Sequence, residues 1–566
     1  MPPPPAQGAN RRLDRLLAFA AVAVVALLFF RLGAHPLMET SDARYAEISW
    51  EMVHTGDWLT PRMNFALHLD KPPLANWLGA VGLTLLGHSE AAVRAPLAVA
   101  AALCLWLVYA TGRWLFGGRA GLVALLILGT APLFLFMGRL FTTDLYLCLF
   151  VVAAYACFLR GYAHERPPLV WRLGFAVALG LGFLTKGPVV LLHTVAPILL
   201  FHVVWGQRGR LRPFFAPLPI AAFVAVAAPW FVAVGLAHPE VWGFYLHHEL
   251  VARVSGNALN RRQPFYYFVP ILLAGLAPWS LWLPWLSGKP AREVSWTRLG
   301  VPWVNRLLAC WLLLPLLVLS LVRSKLPAYI LPLLPAAALW GGACVEPWLA
   351  TRLHRLPRLG PILLLVAAVA LAVAGVAAYH DHLNEWTVAP MSPVVVCFWL
   401  AIAAVVAIAV TVRGRHRHAT LVALLAFALC FDLMGIFYLP NAKPHYRFHR
   451  LAATLAGHLR DGDVVATYNR YLRGLPFYLE RPVTILRYPN WEHPLEPDPT
   501  LSGRHLDRPE EIAALFHRGP RVWVIVEARA LPDLEREAGV PLYEWDRQVQ
   551  YRLLCTEPPP HTPPPR

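Results

Sequence analysis

The sequence predicts an α-helical polytopic membrane protein that carries a small α/β domain at its C-terminal end. Three observations lead there. Hydrophobic residues make up 57% of the 566 positions and charged residues 15%, with a mean hydropathy of +0.50, which lies outside soluble globular composition. Apolar runs of spanning length recur from residue 14 to residue 438. After Pro440 those runs stop, and charged residues, turn signals and short β-rich stretches take over.

In chain order, residues 1–13 form a proline-rich lead expected to be disordered and cytoplasmic, and Arg11 and Arg12 precede the first apolar run. No small-residue cleavage site follows that run, so it reads as a retained helix. The transmembrane domain covers 14–438, with about thirteen spans near 14–32, 92–112, 120–138, 144–161, 172–186, 188–205, 214–235, 266–286, 305–322, 328–349, 361–379, 393–412 and 420–438. Residues 33–91 form a long loop between the first two. Residues 439–556 are the α/β domain, with strands expected at Asp463–Tyr468, Val483–Arg487 and Val522–Val526 and helices at Arg450–Leu459 and Pro509–Phe516. The tail 557–566, EPPPHTPPPR, cannot build a core.

The formal charge of +17 would suit a nucleic-acid binder. The basic residues instead cluster in short loops, around Arg113, Arg160, Arg208, Lys289, Arg352 and Arg413, on the side of Arg11. By the positive-inside rule that side is the cytoplasm, and no nucleic-acid partner is expected. The 33–91 loop, Asp144, Lys186, the segment 236–265, Arg323–Lys325 and the C-terminal domain then face outward. Seven of the eight cysteines lie in or beside apolar runs, without disulfide or zinc spacing.

The loop from Glu39 to Leu74 holds much of the chain's charge: Glu39, Asp42, Arg44, Glu47, Glu51, Asp57, Arg62, Asp70 and Lys71. Ser41 or Thr40 followed by DARYAEISWEMVHTG reads as a helix ending at Gly56, amphipathic and lying on the membrane surface. Pro72-Pro73 opens a second helix, so Lys71 stands just before its N-terminus, where ammonium and helix end together suit a phosphate. Asp42 in a first helical turn is favoured by the dipole whatever its chemistry, so structural and catalytic roles stand level. Asp70 and Lys71 read equally as a surface ion pair. Asp144, Lys186, Arg323 and Lys325 each fall at the outer end of a span, where long basic side chains can also be anchors, whereas an aspartate cannot reach far. Acids and bases converging on one membrane face suit a phosphate-linked substrate. His247, His248 and Glu249 invite a metal reading, but adjacent histidines point apart, and an interfacial polar loop is the plainer account.

The run SDARYAEI, GDWLTPRMN, DKPPLANWL, GRLFTTD, FLTKGP, PWFVAV, FYLHHELVARV, QPFYYFVPILLAGLAPWS and SKLPAYILPLLPAAAL, in order over roughly 35–340, resembles the lipid A 4-amino-4-deoxy-L-arabinose transferases. They belong to the GT-C superfamily, with protein O-mannosyltransferases as cousins. The resemblance implies about thirteen transmembrane helices, a periplasmic C-terminal domain, a sugar donor on undecaprenyl phosphate and an inverting transfer without nucleotide or obligatory metal. No cofactor and no metal ligands are therefore expected, and a monomer is. Carried over by position, Lys71 grips the donor phosphate, Asp70 is the acid before it, Asp144 the second acid of the cavity, Lys186 the lysine before Gly-Pro and Tyr329 the tyrosine after the Lys-Leu-Pro turn. Arg44, Lys186 and Arg323 are expected as further partners of the phosphate. Asp42 and Asp144 are the catalytic candidates, and Asp70, Tyr45, Lys325, Tyr329, His248 and Glu249 are the substrate-binding ones. The family's Asp-Glu ahead of Arg-Tyr is Ser41-Asp42 here, and its Glu-Lys-Pro-Pro is Asp70-Lys71-Pro72-Pro73. These departures bear on sugar and acceptor more than on reaction class. The acceptor is expected to be lipid A or another envelope glycolipid. The alternatives are serine or threonine of an exported protein, or transport of a lipid or sugar instead of chemistry.

Overall fold

The computed structural model describes residues 7–206, 209–239, 241–243, 263–280, 303–350, scattered positions between 421 and 436, and 448–488, 504–518 and 520–560. The expected spans at 361–379 and 393–412, most of that at 420–438, and His247, His248 and Glu249 lie outside the described residues.

Six described helices are long and apolar enough to cross a membrane: α4 (Glu90–Phe116), α7 (Thr143–Tyr162), α8 (Leu169–Lys186), α11 (Pro217–Ala237), α14 (Trp303–Leu321) and the stretch Pro327–Cys344, whose first turns are 3₁₀. The last of these continues into α15 (Leu334–Ala350). Shorter or more polar helices complete the bundle: α1 (Gln7–Phe29), α5 (Gly118–Gly129), α6 (Pro132–Met137), α9 (Val189–His193), α10 (Val195–Trp205), α12 (Val241–Gly243) and α13 (Phe268–Gly275). The expected span at 120–138 is broken into α5 and α6 and that at 188–205 into α9 and α10. Pro132 supplies the first break, starting α6 where its missing N–H costs nothing. The chain is a multi-pass membrane protein whose core is packed chiefly by α4, α5, α7 and α8.

Two helices of the 33–91 loop sit at one end of the bundle, α2 (Ser41–Thr55) and α3 (Leu74–Leu86), joined by a hairpin of β1 (Arg62–Met63) and β2 (Ala66–Leu67). Helix α2 stops as expected at Gly56, whose φ of 72° puts it in the left-handed region with its N–H on Met52 O. Its start differs from expectation, because neither Thr40 nor Ser41 caps it through a side chain. Glycines let α3 approach both neighbours. A Cβ on Gly79 would lie 2.5 Å from Ser49 Oγ of α2, and one on Gly82 would lie 2.3 Å from Ala92 O of α4. Helix α4 is capped by Ser89, which accepts from Ala92 N at 3.1 Å.

Residues 448–560 form a six-stranded sheet, β3 (Val464–Tyr468), β4 (Thr484–Leu486), β5 (His505–Leu506), β6 (Val522–Glu527), β7 (Tyr543–Gln548) and β8 (Tyr551–Cys555), in the order β5-β4-β3-β6-β8-β7. The first four pair in parallel and β8 and β7 add antiparallel. Helices α16 (His449–Ala456), α17 (Gly474–Leu479), α18 (Pro509–Arg518) and α19 (Leu531–Ala538) accompany it. Strand β6, VWVIVE, is buried at every position, as a central strand covered on both faces must be. The expected strands and helices of this region are present, and β5, β7 and β8 are additional.

Candidate active site

Two acid–lysine pairs form at the bundle end that carries α2 and α3. Asp70 and Lys71 follow the hairpin, and Lys71 Nζ donates to Asp70 Oδ1 and to Asp70 O, both at 2.9 Å. Arg44 Nη1 lies 3.7 Å from the other carboxylate oxygen of Asp70. The second pair joins two spans: Asp144 in the first turn of α7 and Lys186 at the last residue of α8, with Nζ and Oδ1 2.5 Å apart. Both side chains are mostly buried. Helix α8 ends there because Gly187 turns with φ of 68°. Lys186 Nζ also stands 4.9 Å from the ring centroid of Tyr329, close enough for a cation–π contact.

Tyr45 stands between the pairs. Its phenol is buried, which raises its pKa, while Arg44, Asp70 and Asp144 all act on it electrostatically and the Thr143 hydroxyl bonds it. Arg44 and the Asp70–Lys71 couple on one side, and the Asp144–Lys186 couple with Tyr329 on the other, thus both lie within electrostatic reach of Tyr45 and make one charged region. Such a cluster combines ammonium and guanidinium donors for an anion with a carboxylate that can accept a proton.

Lys325 and Arg323 are held differently. The Lys325 ammonium donates to Gln263 O at 3.0 Å, and Gln263 N donates back to Arg323 O at 3.2 Å. Lys325 is thus buried and engaged with backbone, and Arg323 is exposed.

Asp42 sits in a separate network. It is 3% exposed and Arg94 is 0% exposed. Asp42 Oδ2 accepts from Arg94 Nη2 at 2.5 Å and from Met38 N at 2.9 Å. Its Oδ1 accepts from Arg94 Nε at 3.3 Å and from Phe141 N at 2.8 Å. Burial alone would raise this carboxyl, but Arg94, His35 and the Met38 amide outweigh it and hold the pKa below the ordinary carboxylate value. Arg94 is not among the residues the sequence reading singles out, although an arginine about one turn into α4 is a usable signal.

The polar face of α2 is also unlike the expectation. Glu47 and Glu51 do not meet water: Glu47 accepts from Asn64 N at 2.5 Å and Tyr471 OH at 3.3 Å, and Glu51 accepts from Phe65 N at 2.9 Å. The C-terminal domain covers this face. Glu39 takes Arg473 Nη1 at 3.0 Å and Gly474 N at 2.9 Å, and Asn64 pairs both ways with Val483.

Residues 70–232 match a family model described as dolichyl-phosphate-mannose-protein mannosyltransferase. The undecaprenyl phosphate-α-4-amino-4-deoxy-L-arabinose arabinosyl transferase of Pectobacterium atrosepticum is 31% identical over 409 residues, 70% of this chain and 72% of that relative. The enzyme of that name from Pseudomonas savastanoi pv. phaseolicola is 34% identical over 352 residues, 60% of this chain and 62% of that relative. Among solved structures, ArnT from Cupriavidus metallidurans bound to undecaprenyl phosphate superposes with a TM-score of 0.79 at 23% identity, covering 96% of this chain and 98% of that one. An archaeal oligosaccharyltransferase, AglB from Archaeoglobus fulgidus, shares the fold more distantly, with a TM-score of 0.50 and 11% identity over 93% of this chain and 70% of that one. With lysines and acids paired at one end of the helical bundle, and a relative 31% identical over 70% of this chain and 72% of its own length, the protein belongs to the undecaprenyl phosphate-α-4-amino-4-deoxy-L-arabinose arabinosyl transferase family.

Proposed function

We propose that this protein moves a sugar from undecaprenyl phosphate to lipid A or another envelope glycolipid, with inversion at the anomeric carbon, at the periplasmic face of a bacterial inner membrane. The observation that carries the reading is the pair of acid–lysine couples, Asp70–Lys71 and Asp144–Lys186, held together around Tyr45. Membership of the family named above supports the donor and the acceptor class. The scaffold is then one of about thirteen spans with a cytoplasmic N-terminus, and residues 439–556 form a periplasmic α/β domain.

In this reading the donor phosphate meets Lys71 and Arg44, with Lys186 as a further cation. As the acceptor oxygen bonds to the anomeric carbon, the bond from that carbon to the phosphate oxygen breaks and its electron pair stays on undecaprenyl phosphate. Positive charge already in place stabilises that developing anion. Asp144 orients the acceptor or takes its proton on the opposite side of the sugar. Tyr45 and Asp70 line the sugar pocket and Tyr329 shapes the wall beside Lys186. Arg323, exposed at the end of its span, is a further candidate partner for the donor phosphate, and Lys325, His248 and Glu249 are kept as substrate-binding candidates. Serine or threonine on an exported protein is a second acceptor class, supported by the mannosyltransferase family match at 70–232.

The test is transfer of label from undecaprenyl-phosphate-linked sugar by the full-length protein to lipid A on one hand and to exported proteins on the other. Label only in protein would refute the lipid-acceptor reading. Lys71→Ala is expected to abolish transfer with the thermal midpoint unchanged, and full activity in that variant would remove the phosphate grip.

A further inference from the structure

We propose that Arg94 and Asp42 are a positioning pair that sets Asp144 and Tyr45 in register for transfer. The inference rests on the glycosyl-transfer reading above, and it concerns a residue, Arg94, at the edge of the apolar span α4.

Arg94 has five N–H donors, and five acceptors meet them. Nε and one proton of Nη2 go to the two oxygens of Asp42, and the remaining three go to backbone carbonyls: Leu32 O at 3.3 Å, His35 O at 2.8 Å and Pro36 O at 3.2 Å. Asp42 is equally committed, since an ionised carboxylate offers about four lone-pair sites and two guanidinium and two amide donors occupy them. A buried carboxylate filled in this way has no site left for a proton from the acceptor. What it transmits is position.

Three chain segments meet at this carboxylate. Met38 N belongs to the loop leaving α1, Asp42 itself to the first turn of α2, and Phe141 N to the loop that delivers α7. That last loop is pinned a second time by Arg139, whose guanidinium is buried and donates to Leu27 O at 2.8 Å, Leu28 O at 3.3 Å and Arg31 O at 3.1 Å at the end of α1. Asp144 comes three residues after Phe141. In the other direction Tyr45 comes three residues after Asp42, one turn on, and its ring lies 5.9 Å from that of Phe141. The acid of one couple and the tyrosine between the couples thus take their places from the same carboxylate. A misplacement of about 1 Å at a reacting group costs on the order of 100-fold in rate, so the pair acts on catalysis without touching substrate.

The test uses full-length protein in detergent or nanodiscs. Asp42→Asn removes the charge, and Arg94→Lys keeps the charge but loses the fork, which secures a folded variant if the first one is unstable. Both are expected to lower kcat by roughly 10- to 100-fold with KM for the lipid-linked donor within about threefold, and to leave the acid limb of the pH–rate profile at its wild-type midpoint. Hydrogen exchange should rise across 139–145 in both. Wild-type kcat together with wild-type exchange in Arg94→Lys would overturn the proposal. So would loss of the acid limb in Asp42→Asn with exchange at 139–145 unchanged, which would make Asp42 the proton acceptor. If the wild type transfers no lipid-linked sugar, the functional reading has failed, and the exchange measurement alone decides whether the pair holds this loop.

Discussion

Lys71 and Lys186 differ in what their removal leaves behind. Asp70 keeps Arg44 at 3.7 Å when Lys71 is removed, and its side chain is a quarter exposed, so no buried charge is stranded. Lys186 is the ion-pair partner of a mostly buried Asp144 and supplies the cation over Tyr329. Lys186→Met should therefore both lower kcat by about 100-fold or more and destabilise the protein, because breaking a buried pair by removing one partner costs about 3–5 kcal/mol. A double variant, Lys186→Met with Asp144→Asn, should recover part of the stability and none of the activity. Thermal melting and single-turnover transfer measured on the same preparations separate the two effects. Asp144→Asn alone should lose transfer by about 100-fold or more if its carboxylate takes the acceptor's proton.

At the scale of the element, α2 is a helix whose acids turn inward. Burial pushes the Glu51 carboxyl up to about 7 despite the Glu47 hydrogen bond and the Phe65 amide, and burial with the neighbouring Glu51 charge raises Glu47 well above the ordinary carboxylate value. Glu47 Oε2 is buried without a donor in reach, which suits an oxygen that carries a proton itself. Because both pKa values rise on folding from about 4.5, the folded chain binds protons that the unfolded chain releases. The pair's contribution is fully present below about pH 4.5 and is lost as pH rises through about 7. Glu51→Gln should flatten the fall in melting temperature across that window, and a profile identical to wild type would refute the raised Glu51 carboxyl. The crossing of α2 and α3 makes a second demand. Gly79→Val would place its Cβ 2.5 Å from Ser49 Oγ and 2.6 Å from Phe141 Cζ. Overpacking of this kind costs roughly 1–3 kcal/mol and presses on the loop before Asp144, so melting temperature and kcat should fall together.

Across the whole molecule, the C-terminal domain is part of the wall around the 33–91 loop. Besides the Glu39–Arg473 pair, Leu37 N donates to Tyr478 OH at 2.8 Å, and that hydroxyl donates to Glu90 Oε1 at 3.0 Å. His88 lies 3.0 Å from Glu480, and Ile48, Met52, Met63 and Ala80 share one apolar cluster with Tyr471 and Ile485. Arg473→Ala takes the guanidinium from Glu39, a carboxylate only 3% exposed in its side chain, and should destabilise the protein, by up to about 3–5 kcal/mol for a broken buried pair. Limited proteolysis should then release residues beyond 448 faster than in wild type, and unchanged cleavage would mean that this contact does not hold the domain.

The sequence alone carried the membrane class, because hydropathy and run length follow from composition. It also carried the C-terminal ends of α2 and α8 and both ends of α7 to within a residue, because glycine stops and first-turn acids are local signals read over a few residues. The choice of Asp144, Lys186 and Lys71 came from ionisable residues placed beside apolar runs and from ordered resemblance. The Asp70–Lys71 pair between chain neighbours was legible too, but pairing between distant residues was not. Asp42 looked like a free first-turn acid, yet its partner Arg94 lies 52 positions away, and the amide it accepts, Phe141, lies 99 away. Glu47 and Glu51 read as the wet face of a surface helix, and only the arrival of Tyr471 and the 64–65 turn makes them buried. A carboxylate's chemistry depends on how many of its lone pairs are already occupied and on whether water reaches it. Local sequence places the carboxylate on a helix, whereas segments distant in the chain decide its partners and its solvent, so the different surroundings of Asp42 and Asp144 exist only in the folded protein.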